Sequence, residues 1–194
     1  MAQPFSEEQR SAISQRLFDS ACRFSLTTGV RKTSLEMLTG EAGISKSSFY
    51  KFYESKEALF LHVAAHWESM ALERATRALE RSAGRSDKER AAAFVFTAFE
   101  TIRQLGIERF LREDLPVLRE AFPEEAARRH CMNSAANIFA RLQQVRIRFT
   151  APDATVRSVI QLMYLSILNS AEIGDSFFPA LRELVVSACD RLVA

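Results

Sequence analysis

Residues 33–53 read TSLEMLTGEAGISKSSFYKFY, and the rest of the chain falls into place around them. Leu35, Leu38, Ile44 and Phe49 are apolar pegs set among polar residues, and Ala42-Gly43-Ile44 interrupts the helical pattern between them. Ala42 is small enough for two helices to approach closely, and Gly43 supplies the positive φ that a tight turn needs. The stretch predicts a short helix from Ser34 to about Glu41 and a second from Lys46 to about Phe52, crossing steeply. Thr33 or Ser34 can cap the first, with Glu36 placed for a capping box from Thr33; Ser45 caps the second.

Upstream, Ser6–Leu26 carries Ile13, Leu17, Phe18, Ala21 and Phe24 on one helical face, and Gly29 ends the run. Downstream, Ser55 caps a long helix bearing Leu59, Phe60, Val63, Trp67, Met70 and Ala71, which turns polar over Glu73–Arg81 and gives way to a loop, SAGRSD, at 82–87. Lys88–Leu105 holds Phe94, Val95, Phe96, Phe99 and Ile102, an apolar surface too wide for one stripe, so this helix is expected at the centre of its domain. Further helices are expected over Glu108–Leu118, stopped near Pro116 and Pro123; over Glu124–Phe149; from Pro152-Asp153 to about Ala171; and from Phe178-Pro179 to the end. Alternating β-branched runs are missing. The fold class is therefore all-α, with about nine helices in all, divided into a three-helix domain containing a helix-turn-helix at 1–54 and a larger helical domain at 55–194.

The composition narrows the function. Hydrophobic residues make up 47% of the chain, enough for a real core. No apolar run approaches the ~18 residues of a membrane span, and MAQPFSEEQR lacks the basic-then-apolar order of a signal peptide, so a cytoplasmic protein is expected. Cys22, Cys131 and Cys189 are odd in number and far apart, which argues against a disulfide framework or zinc knuckle and for reduced thiols, with redox sensing by one of them left open. There is no phosphate-cradling glycine loop, nucleophile elbow or paired metal motif, so neither an enzyme nor a cofactor is expected. The net charge is only +2, so any affinity for nucleic acid must come from local charge. Four of the five lysines do lie between Lys32 and Lys56, although Glu36, Glu41 and Glu54 share that segment.

The outer face of the second short helix suits a DNA groove. Ser45, Lys46, Ser47 and Ser48 form its first turn and are short or flexible enough to reach base edges. Tyr50, Lys51 and Tyr53 can extend to flanking phosphates, and Thr33, Ser34 and Lys56 stand at helix starts, where backbone N–H groups favour an anion. A plain helical hairpin packed in a bundle would explain the pegs but not the Ser-Lys-Ser-Ser turn.

With these residues in view, the segment resembles the DNA-binding domain of the TetR/AcrR family of bacterial repressors over about residues 10–60. The resemblance rests on Ala42-Gly43-Ile44-Ser45-Lys46-Ser47-Ser48-Phe49-Tyr50 followed by Phe52-Tyr53-x-Ser55-Lys56-Glu57-x-Leu59. It implies a two-fold homodimer on double-stranded operator DNA, one recognition helix per half-site, an inducer-binding C-terminal domain, and phosphate contacts from Tyr50 and Lys56. Two positions depart from the family pattern. Thr39-Gly40 stand where Ala and a helix former are usual, and Phe52 replaces the usual His or Tyr and so lacks a phosphate hydrogen bond.

Three other groupings carry weaker expectations. His62 and His66 share a helix face and could hold a metal, but with no third ligand nearby they read first as helix-packing residues, a metal sensor being the alternative. Trp67, Phe96, Phe99, Glu100, His130, Asn133, Asn137 and Tyr164 could line a cavity for a small organic effector, or could simply be core and surface. Val159, Ile160, Met163, Ile167 and Leu168, with Leu181, Leu184, Val185, Ala188 and Leu192, make two apolar stripes on the last two helices. Those stripes would pair as a four-helix bundle between subunits, or would close their own domain. A metal- or redox-responsive regulator, or a helical enzyme or lipid carrier containing an incidental hairpin, are the alternatives to a ligand-responsive repressor.

Overall fold

The computed structural model describes residues 5–128 and 134–194. Its described residues are all-α apart from turns and one isolated antiparallel bridge between Phe149 and Val193. The chain divides into two compact units, Met1–His66 with Arg109–Cys131, and Trp67–Glu108 with Met132–Ala194. The expected division at 54/55 differs from this clustering, which keeps residues 55–66 and Arg109–Cys131 with the N-terminal helices.

In the first unit, α1 (Glu7–Leu26) opens on a capping box. The Gln9 amide donates to Ser6 Oγ at 3.2 Å and the Ser6 amide to Gln9 Oε1 at 2.9 Å, satisfying two N–H groups that the helix cannot. Ile13, Leu17 and Ala21, four residues apart, are buried on one face. The chain then turns at Gly29 (φ +82°), whose amide donates to the Phe24 carbonyl at 2.8 Å. α2 (Leu35–Ala42) packs on α1 and on α3 (Lys46–Phe49). Ser34, not Thr33, caps α2: its hydroxyl accepts from the Met37 amide, while Thr33 is buried and donates its hydroxyl to the Gly29 carbonyl at 2.8 Å. The expected Thr33–Glu36 box is therefore not formed.

Gly43 holds φ +68° after α2, and the Ile44 amide reaches back to the Thr39 carbonyl at 3.0 Å, closing the turn between the two helices. α3 is a single turn, shorter than expected, because Lys51 and Phe52 continue as tight turns bonded three residues back. α4 (Lys56–Arg81) begins with Ser55 Oγ accepting the Ala58 amide at 3.0 Å, and Leu59, Phe60, Leu61 and Val63 are fully buried.

The same unit takes in Arg109–Cys131. Pro116 does not stop its helix. A π-turn, Phe110–Asp114, stands directly upstream, with the Leu115 amide bonded to the Phe110 carbonyl, and α6 (Leu115–Ala121) continues with Pro116 in its first turn. Proline lacks an N–H and crowds the carbonyl four residues before it, and a π-turn relieves both at one place. α7 (Pro123–Arg128) follows.

In the second unit, α5 (Asp87–Leu105) is central as expected: Phe94, Val95, Phe96, Ala98, Phe99 and Ile102 are buried, and α8 (Ser134–Gln144) and α10 (Phe177–Leu192) pack on it. α8 stops at Gln144, short of Phe149. Arg146 turns left-handed (φ +66°), and the Ile147 amide caps the Leu142 carbonyl at 3.1 Å. α9 (Asp153–Ile167) packs on α8 and ends before two 3₁₀ turns, Ser170–Glu172 and Gly174–Ser176.

The expected stripes of α9 and α10 mostly face inward. Ile160, Ile167, Leu168, Leu181 and Val185 are buried, and Val159, Met163, Ala188 and Leu192 border a small internal cavity. Leu184 is the exception at 59% exposure, and it joins Leu162 (67%), Leu165 and Val186 as apolar residues left in solvent. These helices are apolar on two sides, and their own unit claims the side picked out from sequence. Among the described residues no helix is long and apolar enough to cross a membrane.

Candidate nucleic-acid interface

The expected DNA-facing residues separate by exposure. Ser45, Lys46, Ser47, Tyr50 and Lys51 are exposed in and around α3, Tyr50 by 60%. Ser45 Oγ accepts the Ser48 amide at 3.2 Å and lies 3.0 Å from both the Ser47 and Ser48 hydroxyls, so the serine turn is organised from its cap. Lys46 Nζ is ion-paired with Glu36 of α2, which holds the long side chain over the helix pair. Tyr50 stands edge-on against buried Phe49, its ring fixed at the base and its hydroxyl end free to reach outward. Ser34 and Ser48 are half-buried at their caps.

Three side chains turn inward instead. Thr33 is buried with its hydroxyl bonded to Gly29. Tyr53 is 8% exposed, with its hydroxyl 3.1 Å from His62 Nδ1. Lys56 Nζ donates to the Val30 carbonyl at 3.0 Å and the Thr33 carbonyl at 2.8 Å, tying α4 to the α1–α2 loop. Thr33 and Lys56 lie where that loop meets the start of α4, while Tyr53 packs between Phe49 and His62, and buried polar groups in both places must pair. Lys56→Met, which keeps the aliphatic stem, is expected to cost about 1.5–3 kcal/mol of stability, as for a hydrogen bond to a charged group. Denaturant unfolding measures this, and an unchanged midpoint with weakened DNA binding would return Lys56 to the interface.

A second support escaped sequence reading. Asp114 Oδ2 accepts the Val30 amide at 3.3 Å, and Arg109 Nη2 donates to the Ser25 carbonyl at 2.9 Å. Both side chains close on Gly29, where an added Cβ would lie 3.2 Å from Arg109 Nη1 and 3.5 Å from Asp114 Oδ2. Arg109 and Asp114 are five apart, which in an α-helix sets them about 140° apart. The π-turn, bonded i to i+5, brings them to one side.

Residues 17–63 match the family model described as bacterial regulatory proteins, tetR family. Over that segment, about a quarter of the chain, the protein is similar to bacterial regulators of the tetR family. Over 89 residues the chain is 29% identical to the uncharacterized HTH-type transcriptional regulator YerO of Bacillus subtilis strain 168, a match covering 46% of this chain and 31% of that protein. The matched part thus spans about a third of that relative's length. Solved structures resemble it along almost the whole chain at low identity. The TetR-family regulator of Marinobacter aquaeolei VT8 superposes at TM-score 0.62 with 16% identity, covering 97% of this chain and 99% of that one. The transcriptional regulator FadR of Bacillus subtilis, in complex with stearoyl-CoA, does so at TM-score 0.64 with 15% identity, covering 90% and 96%. Both likenesses concern the fold.

The two histidines pack against an aromatic ring. His62 and His66 flank Phe18, with ring centroids 5.2 and 5.1 Å from it. Among the described residues no group of three or more His, Cys, Asp and Glu could hold a metal ion. Cys22 and Cys189 are free; burial, and the charges of Asp19 and Asp190, push their thiols up to about 11 and about 12, away from a reactive thiolate. Cys131 lies outside the described residues.

The candidate effector residues are dispersed. Phe96, Phe99, Trp67 and Tyr164 are buried, with the Arg182 guanidinium 4.0 Å over the Phe96 ring. Glu100 lies 3.7 Å from Arg103, and Asn137 donates to Glu68 Oε1 at 2.9 Å. His130 and Asn133 lie outside the described residues. None of the described six borders the internal cavity, which is wholly apolar, about 30 Å³, and lined by residues including Val95, Leu142, Ile160 and Val185. A void of that size and lining stays dry and is too small for a drug-sized molecule without movement.

Proposed function

We propose that the protein is a ligand-responsive repressor that grips a palindromic operator as a homodimer, with α3 of each protomer in a major groove. The observation that carries this reading is the exposed first turn of α3, Ser45 to Ser47, standing beside Tyr50 and Lys51 and held off the core by the left-handed Gly43 turn. Dimerisation is supported by Leu162, Leu165 and Leu184, which α9 and α10 leave in water. On a palindromic operator the two recognition helices of such a dimer would read major grooves about 34–36 Å apart, one DNA turn. A small-molecule effector is supported by the B. subtilis FadR structure of similar fold, which holds stearoyl-CoA. An effector that weakens operator binding is weakened equally by operator, since the two affinities are linked.

Selection of bound duplexes from a random pool, followed by footprinting, tests the reading; a footprint without two-fold symmetry contradicts the dimer. Lys46 must exchange Glu36 for a base edge on binding. Lys46→Ala is therefore expected to lower specific affinity about 5- to 100-fold and to relax preference at one base pair of each half-site. Competition with single-base variants of the selected duplex measures this, and an unaltered preference removes Lys46 from base reading.

A further inference from the structure

We propose that Arg10, on α1, is an additional phosphate-contacting residue of the DNA interface, with Phe52 as the platform that positions it. This rests on the reading of the chain as a duplex-DNA binder. The guanidinium of Arg10 lies over the Phe52 ring, 5.4 Å from its centroid, and Nη2 donates to the Lys51 carbonyl at 3.4 Å. Phe52 in turn lies 6.0 Å from Phe5, over whose ring Lys51 Nζ sits at 5.4 Å. Two cations are thus parked on two aromatic rings at the C-terminal end of the recognition turn, and both are exposed.

Among the described residues no ion pair reaches either cation; Glu7 and Glu8, the acids nearest Arg10 in sequence, lie in the first turn of α1, where they suit its positive end. The neighbours that hold these groups are ring faces and a carbonyl, which orient a positive charge without neutralising it. Arg10 has five N–H donors and spends one of them here. A guanidinium fixed by a ring and a carbonyl is pre-organised for two parallel hydrogen bonds to a phosphate. The position is continuous with Tyr50 and Lys51, so a duplex seated on α3 would bring its backbone to this place. Phe52, which has no hydrogen-bonding group of its own, contributes by holding the arginine that does.

The test uses the full-length protein and a duplex that the wild type has selected from a random pool, with affinity measured across a salt titration. Arg10→Ala is expected to weaken binding about tenfold and to flatten the slope of log K against log salt by about 0.9 for each bound protomer, with base preference unchanged. Arg10→Lys should keep the slope and regain part of the affinity. Phe52→Leu should lose affinity severalfold where Phe52→Tyr does not. Thermal unfolding of each variant separates a positioning role from a structural one. An unchanged slope in Arg10→Ala, or a loss of affinity that tracks a fall in unfolding temperature, overturns the assignment and leaves DNA binding standing. If the wild type selects no duplex at all, the DNA reading falls and Arg10 with it.

Discussion

Asp114→Ala is expected to remove about 2–3 kcal/mol of stability, although the residue lies 84 positions from its partner and outside the helix-turn-helix. Asp114 is 8% exposed, and its carboxylate satisfies the Val30 amide in the α1–α2 loop. Without it that buried N–H has no acceptor, and the Arg109 guanidinium beside Gly29 loses a neighbouring negative charge. The damage should spread, because the carbonyls of Val30 and Thr33 in the same loop hold Lys56. Chemical unfolding of Asp114→Ala and Asp114→Asn checks this. Asparagine keeps an acceptor and should recover part of the loss, whereas two variants with wild-type midpoints would show that the carboxylate adds nothing.

The largest functional effect is expected from Leu184→Glu. Leu184 lies on α10 with more than half its surface in water, and Leu162 and Leu165 are exposed on α9. A carboxylate placed in a two-fold contact meets its own copy or an apolar surface, and both are unfavourable. The variant should sediment as a monomer at concentrations where the wild type is a dimer. It should also lose roughly 100-fold or more in operator affinity, since linking two heads multiplies affinity by about 10²–10⁴. Its monomer fold should be intact, because the position is already solvated. A Leu184→Glu protein that remains dimeric and binds fully would move the dimer contact elsewhere.

The parts legible in sequence are those set by local chemistry. The caps at Ser45 and Ser55, the turn at Gly43, and the central role of α5 follow from a few neighbouring residues, whereas the cap of α2, open between Thr33 and Ser34, falls to Ser34. Of the residues expected to face DNA, Ser45, Lys46, Ser47, Tyr50 and Lys51 are exposed. Thr33, Tyr53 and Lys56 turn inward, and no local pattern signals that, because it depends on partners at Gly29, His62 and the Val30 and Thr33 carbonyls. The π-turn before Pro116 was hidden because proline within a helical pattern ordinarily signals an end. The inward stripes of α9 and α10 illustrate a different limit: helical periodicity marks a face as apolar but does not say which of two apolar faces the molecule keeps for itself.

Gly29, pinned by two side chains that arrive from beyond α5, makes the DNA-reading head a discontinuous module. A chimaera spliced at the end of α4 would graft the reading residues but leave behind the strut that sets their hinge. Transplanting these helices onto another domain therefore requires carrying the π-turn along with them.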